Sequence, residues 1–138
     1  MYRKIMVPVD LAHVEAIRPA LQAAADLANH YGADVCYVSV TSTSPSSVAH
    51  TPEEYETKLE AFAKEQAAKH GRNVSAQVLT SNDPAADLDD KLIHAIDAVG
   101  ADLVVMATHL PRKLDAIMPA HGGKVATHTD ASIFLVRP

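Results

Sequence analysis

The stretch GADVCYVSV, Gly32 to Val40, returns later in the chain as GADLVVMAT, Gly100 to Thr108. Each copy opens on a glycine, which can end a helix in a left-handed turn, and continues into the apolar, β-branched run of a strand covered on both faces. Two crossovers of one construction are therefore expected. Upstream of the first copy, Ile17, Leu21, Ala24, Ala28 and Tyr31 recur three or four apart, the face of a helix running from about Ala16 to Gly32. Before that helix, KIMVPVD, Lys4 to Asp10, reads as a first buried strand stopped by Pro8 and Asp10. The first copy supplies a second strand, Asp34 to Val40. TSTSPSSVAH, Thr41 to His50, follows as a polar loop and is the most flexible candidate in the chain.

TPEE at Thr51 to Glu54 is a strong helix start: a capping threonine, a proline at the first helical position and a glutamate three residues after the cap. Tyr55, Leu59, Phe62 and Ala63 form its buried stripe, and the helix frays near KHGRN. VSAQVL, Val74 to Leu79, is a third strand. NDP, Asn82 to Pro84, caps another helix carrying Leu88, Leu92, Ala95, Ile96 and Val99 up to Gly100. Beyond the second copy, GGKVATH can hold a short helix and SIFLVRP, Ser132 to Pro138, a fifth strand. Strand and helix alternate throughout. The fold class is α/β: one domain over 1–138, an open five-stranded parallel sheet with helices on both faces. Ligands in such sheets bind beyond the carboxyl ends of the strands where the winding reverses, so Pro8 to Asp10, Val40 to Ser42 and Met106 to His109 are the ends to watch.

Composition removes several classes of function. The chain has 138 residues, too few for two ordinary domains. With 48% hydrophobic and 21% charged residues it is an ordinary globular sequence. No apolar run reaches the ~20 residues of a membrane helix, and the start has too short an apolar core for a signal peptide, so a cytoplasmic protein with no membrane partner is expected. A net charge of −5 without a basic block argues against nucleic acid. Cys36, alone in an apolar strand, reads as a buried inert thiol.

Motif chemistry is sparse. No G-x-G-x-x-G follows any strand, MPAHGGK lacks the earlier glycine and the hydroxyl residue of a P-loop, and no nucleophile elbow occurs. No catalytic residue is assigned. The eight histidines have no metal-ligand spacing, so no metal is expected; only His109, His121 and His128 could converge on one site. Two readings of Asp10 stand open: an acceptor for ribose hydroxyls or an adenine amine, or a cap on the following turn.

KIMVPVD, GADVCYVSV, ADLVVMATH and IFLVRP, in this order and at this length, resemble the universal stress protein family from end to end. The resemblance implies a Rossmann-like, adenine nucleotide alpha-hydrolase-like sheet and a homodimer through the last strand, Ile133, Phe134, Leu135 and Val136. In nucleotide-binding members adenine lies against the positions matching Pro8, Asp10, Val40 and Met106. Their phosphates rest on glycine, two residues, glycine, nine residues, then glycine with Ser or Thr. Here Ala107 and Leu110 stand at the first two glycines. Counting onward gives Ala120 and His121, or Pro119 and Ala120 in the subgroup with a shorter loop. Proline removes an amide and alanine offers no hydroxyl, so the cradle is degenerate. A rearranged cradle would draw amides from Gly122 and Gly123, and charge from Arg112, Lys113 or Lys124, with Ala107, His109 and His121 beside it.

The reading is a homodimeric stress-response module, regulatory rather than enzymatic, whose dimer surface and Thr41 to His50 loop meet a regulatory protein partner. The alternative is an adenine-nucleotide binder, of ATP or AMP with magnesium, that has an altered phosphate loop and slow ATPase activity.

Overall fold

The computed structural model describes residues 1–108 and 125–137. In chain order they form β1 (Lys4–Pro8), a 3-10 turn (Leu11–His13), α1 (Val14–Tyr31), β2 (Asp34–Ser42), α2 (Pro52–His70), β3 (Val74–Ser81), α3 (Pro84–Val99), β4 (Leu103–Ala107) and β5 (Ser132–Val136). Residues 125–127 are helical. The strands make one parallel sheet in the order β3-β2-β1-β4-β5.

That order explains the two helical layers. The first two crossovers step outward from β1 to β2 to β3. The third returns across β1 to β4. A right-handed connection that reverses direction must put its helix on the opposite face. Accordingly Ile17, Leu21 and Ala24 of α1 and Tyr55, Leu59 and Ala63 of α2 pack with Ile5, Val7, Val35, Tyr37 and Val105. Leu92, Ala95 and Ile96 of α3, with Val125, pack on Met6, Cys36, Val38, Val104 and Met106. Neighbouring residues of one strand thus feed opposite cores, the period-2 consequence of the pleat.

The paired GAD stretches begin alike. Gly32 and Gly100 take φ of 68° and 76°, a left-handed region costly for other L-residues, and the alanine after each returns an N–H to the helix, Ala33 to Ala28 and Ala101 to Ile96. The aspartates then differ. Asp34 is exposed, whereas both Asp102 carboxylate oxygens accept from the Arg3 amide (2.9 and 3.2 Å) and one accepts from that of Lys4 (3.1 Å), tying the start of β1 to the start of β4.

Several expected boundaries move. β1 ends at Pro8 rather than Asp10, although the Val9 amide still donates to the Val38 carbonyl at 2.8 Å. α1 begins at Val14, not Ala16, because the 3-10 turn feeds directly into it and Pro19 is accommodated inside the helix. β2 and β3 run two residues past Val40 and Leu79, since Thr41 and Ser42 pair with Thr80 and Ser81. Within NDP it is Asp83 that caps α3, its side chain accepting from Ala86. Within the Thr41 to His50 loop, Ser46 bonds to Ala49 through backbone and side chain, Ala49 is buried, and Lys58 donates to the Val48 carbonyl. Cys36 is buried, as read. Among the described residues no helix is long and apolar enough to cross a membrane.

Candidate ligand crevice at the carboxyl ends of the strands

The winding reverses between β1 and β4, and open α/β sheets bind ligands in the crevice outside the carboxyl ends of the strands at such a reversal. Pro8 closes β1, Ala107 closes β4, and Val40 lies near the end of β2. Strand alternation puts Pro8, Val40 and Met106 on the α3 face of the sheet. Pro8 pairs with Val38 of that core, and Val40 and Met106 pack in it. Ala107 points the other way, against the α1 and α2 core. Met106 is buried, while Pro8, Val40 and Ala107 are half-buried. Three apolar side chains on one side of adjacent strand ends form a surface suited to the flat, weakly polar face of a base. His109, His121, Gly122 and Gly123 lie outside the described residues, as do Leu110, Pro119 and Ala120.

Asp10 acts as a cap. Its backbone is extended, its Oδ1 accepts from the Ala12 amide at 3.0 Å, and its Oδ2 meets His13 Nδ1 at 2.8 Å. An ionised carboxylate only accepts, so Nδ1 carries the proton in that contact. The Asp10 side chain is nonetheless 59% exposed, so its oxygens keep further acceptor capacity. His128, the described member of the histidine trio, is exposed, with its Nδ1 2.9 Å from Thr127 Oγ1.

Three residues of the site escape sequence reasoning. Buried Ser39 donates to the Val9 carbonyl at 2.6 Å and holds the end of β1 against β2. Tyr55, assigned only to a buried stripe, accepts from the Leu11 amide at 3.2 Å and anchors the turn that carries Asp10. His13 completes the pair with Asp10. Only Ser39 had a visible signal, a hydroxyl within an apolar run; the other contacts depend on where α2 and the 3-10 turn come to lie.

Glu54 and Tyr37 have shifted ionisation. The His50 amide, followed by Lys58, holds the Glu54 carboxyl below its ordinary value. Burial pushes the Tyr37 hydroxyl up to about 12, so β2 carries a neutral phenol against the Phe62 ring. Among the described residues no three His, Cys, Asp or Glu side chains are placed to hold a metal ion.

The model of the Universal stress protein family matches residues 1–137. No curated protein matches the chain. Among solved structures, a universal stress protein in complex with cAMP superposes with a TM-score of 0.73 at 16% identity, covering 98% of this chain and 97% of that one. The Archaeoglobus fulgidus universal stress protein in complex with dAMP gives 0.64 at 19%, covering 97% of each chain. A family member from Arabidopsis thaliana with AMP bound gives 0.64 at 15%, covering 98% of this chain and 90% of that one. At such identities the likeness establishes the fold.

Proposed function

We take as premise that this chain belongs to the universal stress protein family, and we propose from it a cytoplasmic, homodimeric regulatory module whose crevice takes adenine mononucleotides by base and ribose. The carrying observation is the placement of Pro8, Val40 and Met106 on one face at the reversal point, with the exposed Asp10 carboxylate beside them. Three structures of the same fold hold cAMP, dAMP and AMP, which supports a ligand of this class. The loop argues against a triphosphate. Leu110 and the Pro119-Ala120 or Ala120-His121 pair remove the glycines and hydroxyl that let phosphate approach backbone amides. Ligand affinity then comes from the adenosine part, and magnesium adds little.

Phe134 and Leu135, each nearly half exposed on the outermost strand, support pairing with a second copy through β5. Residues Ile133 and Val136 flank them half-buried.

Calorimetric titration of ATP, ADP and AMP, with and without magnesium, tests the reading. The expected result is AMP binding at least as tight as ATP, weakened roughly tenfold or more by Asp10→Ala, a loss of about 1.4 kcal/mol or greater. Absence of binding by all three would leave a pure protein-interaction module. Tight, magnesium-dependent ATP binding would instead establish a rearranged cradle around Gly122, Gly123 and the basic residues Arg112, Lys113 and Lys124.

A further inference from the structure

A second concave surface lies away from the crevice, between α1 and α2. It is a cleft of about 270 Å³ whose polar lining is Arg18, Gln22, Gln66, Lys69 and His70. No carboxylate is among its lining residues, although the chain as a whole is acidic with a net charge of −5. Two acids are bonded to its lining residues: Glu15 accepts from Arg18 Nε at 2.8 Å, and Asp26 accepts from the Gln22 amide at 2.9 Å. Lys69 and His70 stand in the last turn of α2, where cations also complement the negative end of the helix. Arg18 comes from the first half of α1 and serves no such end. Its guanidinium, ion-paired to Glu15 through Nε, lines the cleft opposite Lys69.

Gln66 is the other unusual member. It is 2% exposed on a helix face otherwise buried through Tyr55, Leu59 and Ala63, and burying an amide is unfavourable unless it is hydrogen-bonded. Its Oε1 accepts from His70 Nε2 at 3.3 Å, which leaves its NH2 group as a donor at the cleft. The array is therefore one of donors: an arginine fork, an ammonium and an amide. Such a set matches a tetrahedral oxyanion.

We propose that the α1–α2 cleft is a binding site for a phosphate dianion, free or as a small phosphomonoester, held by Arg18 and Lys69 over the Gln66 amide. This site is separate from the strand-end crevice and stands whether or not adenine nucleotides bind there.

The test is a titration of ¹⁵N-labelled protein with inorganic phosphate, and in a second arm with glycerol phosphate, at constant ionic strength balanced by chloride. The Gln66 side-chain amide and the Lys69 and His70 backbone signals should shift saturably, with a dissociation constant of about 1 mM or below. Arg18→Met/Lys69→Met should weaken binding at least tenfold without lowering the melting temperature. If the double variant melts early, Arg18→Met alone carries the test, because that side chain is 46% exposed and its loss leaves the core intact. Saturation by only one of the two ligands distinguishes free phosphate from the ester and upholds the site. Shifts that never saturate, that chloride reproduces, that survive the double variant, or that centre on Pro8 and Asp10 would overturn the proposal.

Discussion

The two edges of the sheet differ in what they leave open. β3, at one edge, pairs with β2 over eight positions, from Val35↔Val74 to Ser42↔Ser81. Its exposed positions are Ser75 and Thr80, and its apolar residues Val74, Ala76 and Val78 pack against the core that α2 helps to build. At the other edge, β5 pairs with β4 over five positions and exposes Phe134 at 44% and Leu135 at 45%. Phe134 pairs with Val105 and Leu135 with Met106, residues of opposite cores, so β5 shows a large apolar side chain on each face of the sheet. An edge strand offers unpaired backbone groups, and proteins blunt such edges with polar residues or a covering element. β3 is blunted. β5 is not, and in the proposed homodimer a second copy meeting it edge to edge would satisfy both backbone and side chains.

Leu135→Asp offers the largest test of this contrast. It should convert dimer to monomer, or leave insoluble chain, in size-exclusion chromatography, while Thr80→Asp on β3 leaves the elution volume unchanged. A dimer that survives Leu135→Asp and dissociates with Thr80→Asp would reverse the assignment of the edges.

Next in size is the cover over β3. Leu59, fully buried on α2, is part of what keeps that edge closed. Leu59→Ala should cost about 2–5 kcal/mol in chemical denaturation and raise the association tendency of the chain. A loss below about 1 kcal/mol would mean that α2 is not what closes β3.

The smallest expected effect is at the start of the same helix. Thr51 Oγ1 accepts from the Glu54 amide at 3.1 Å, and Glu54 reaches back to the His50 amide at 3.2 Å, one residue beyond the usual partner in a capping box. These contacts, with Lys58, lower the folded pKa of Glu54. A lowered folded pKa contributes stability above the unfolded value of about 4.3, lost as pH falls through the folded value. The melting temperature of Glu54→Gln should thus lie slightly below wild type at neutral pH and converge with it in acid. Parallel pH profiles would show that the carboxylate adds nothing.

Much of this architecture was legible because its signals are local. The αL glycines, the Thr51 cap and the three-to-four spacing of Ile17, Leu21, Ala24 and Ala28 each involve residues within a turn or two of one another. The candidate site was legible only in part. Pro8, Val40 and Met106 were identifiable as strand-end residues, and the strand order puts them on one face of the crevice. What holds that crevice was not legible: Tyr55 reaches the Leu11 amide across 44 residues and Ser39 reaches Val9 across 30; nor was the tie at the opposite end of the sheet, where Asp102 reaches Arg3 across 99. Asp10 remained open between ligand and cap because its partner, the Ala12 amide, is presented only once the 3-10 turn has formed.

By itself, the sequence determined the alternation of strand and helix, the caps of α2 and α3, and the family. All of these are set by the identity and spacing of neighbouring residues. Only the tertiary structure decided that β1 and β4 flank the reversal, that β5 rather than β3 is left open, and that Arg18 faces Gln66 and Lys69 across a cleft. Those outcomes follow from packing two helical layers on opposite faces of a sheet whose crossovers share one hand. That constraint acts on the whole chain at once and leaves no trace in any short stretch of it.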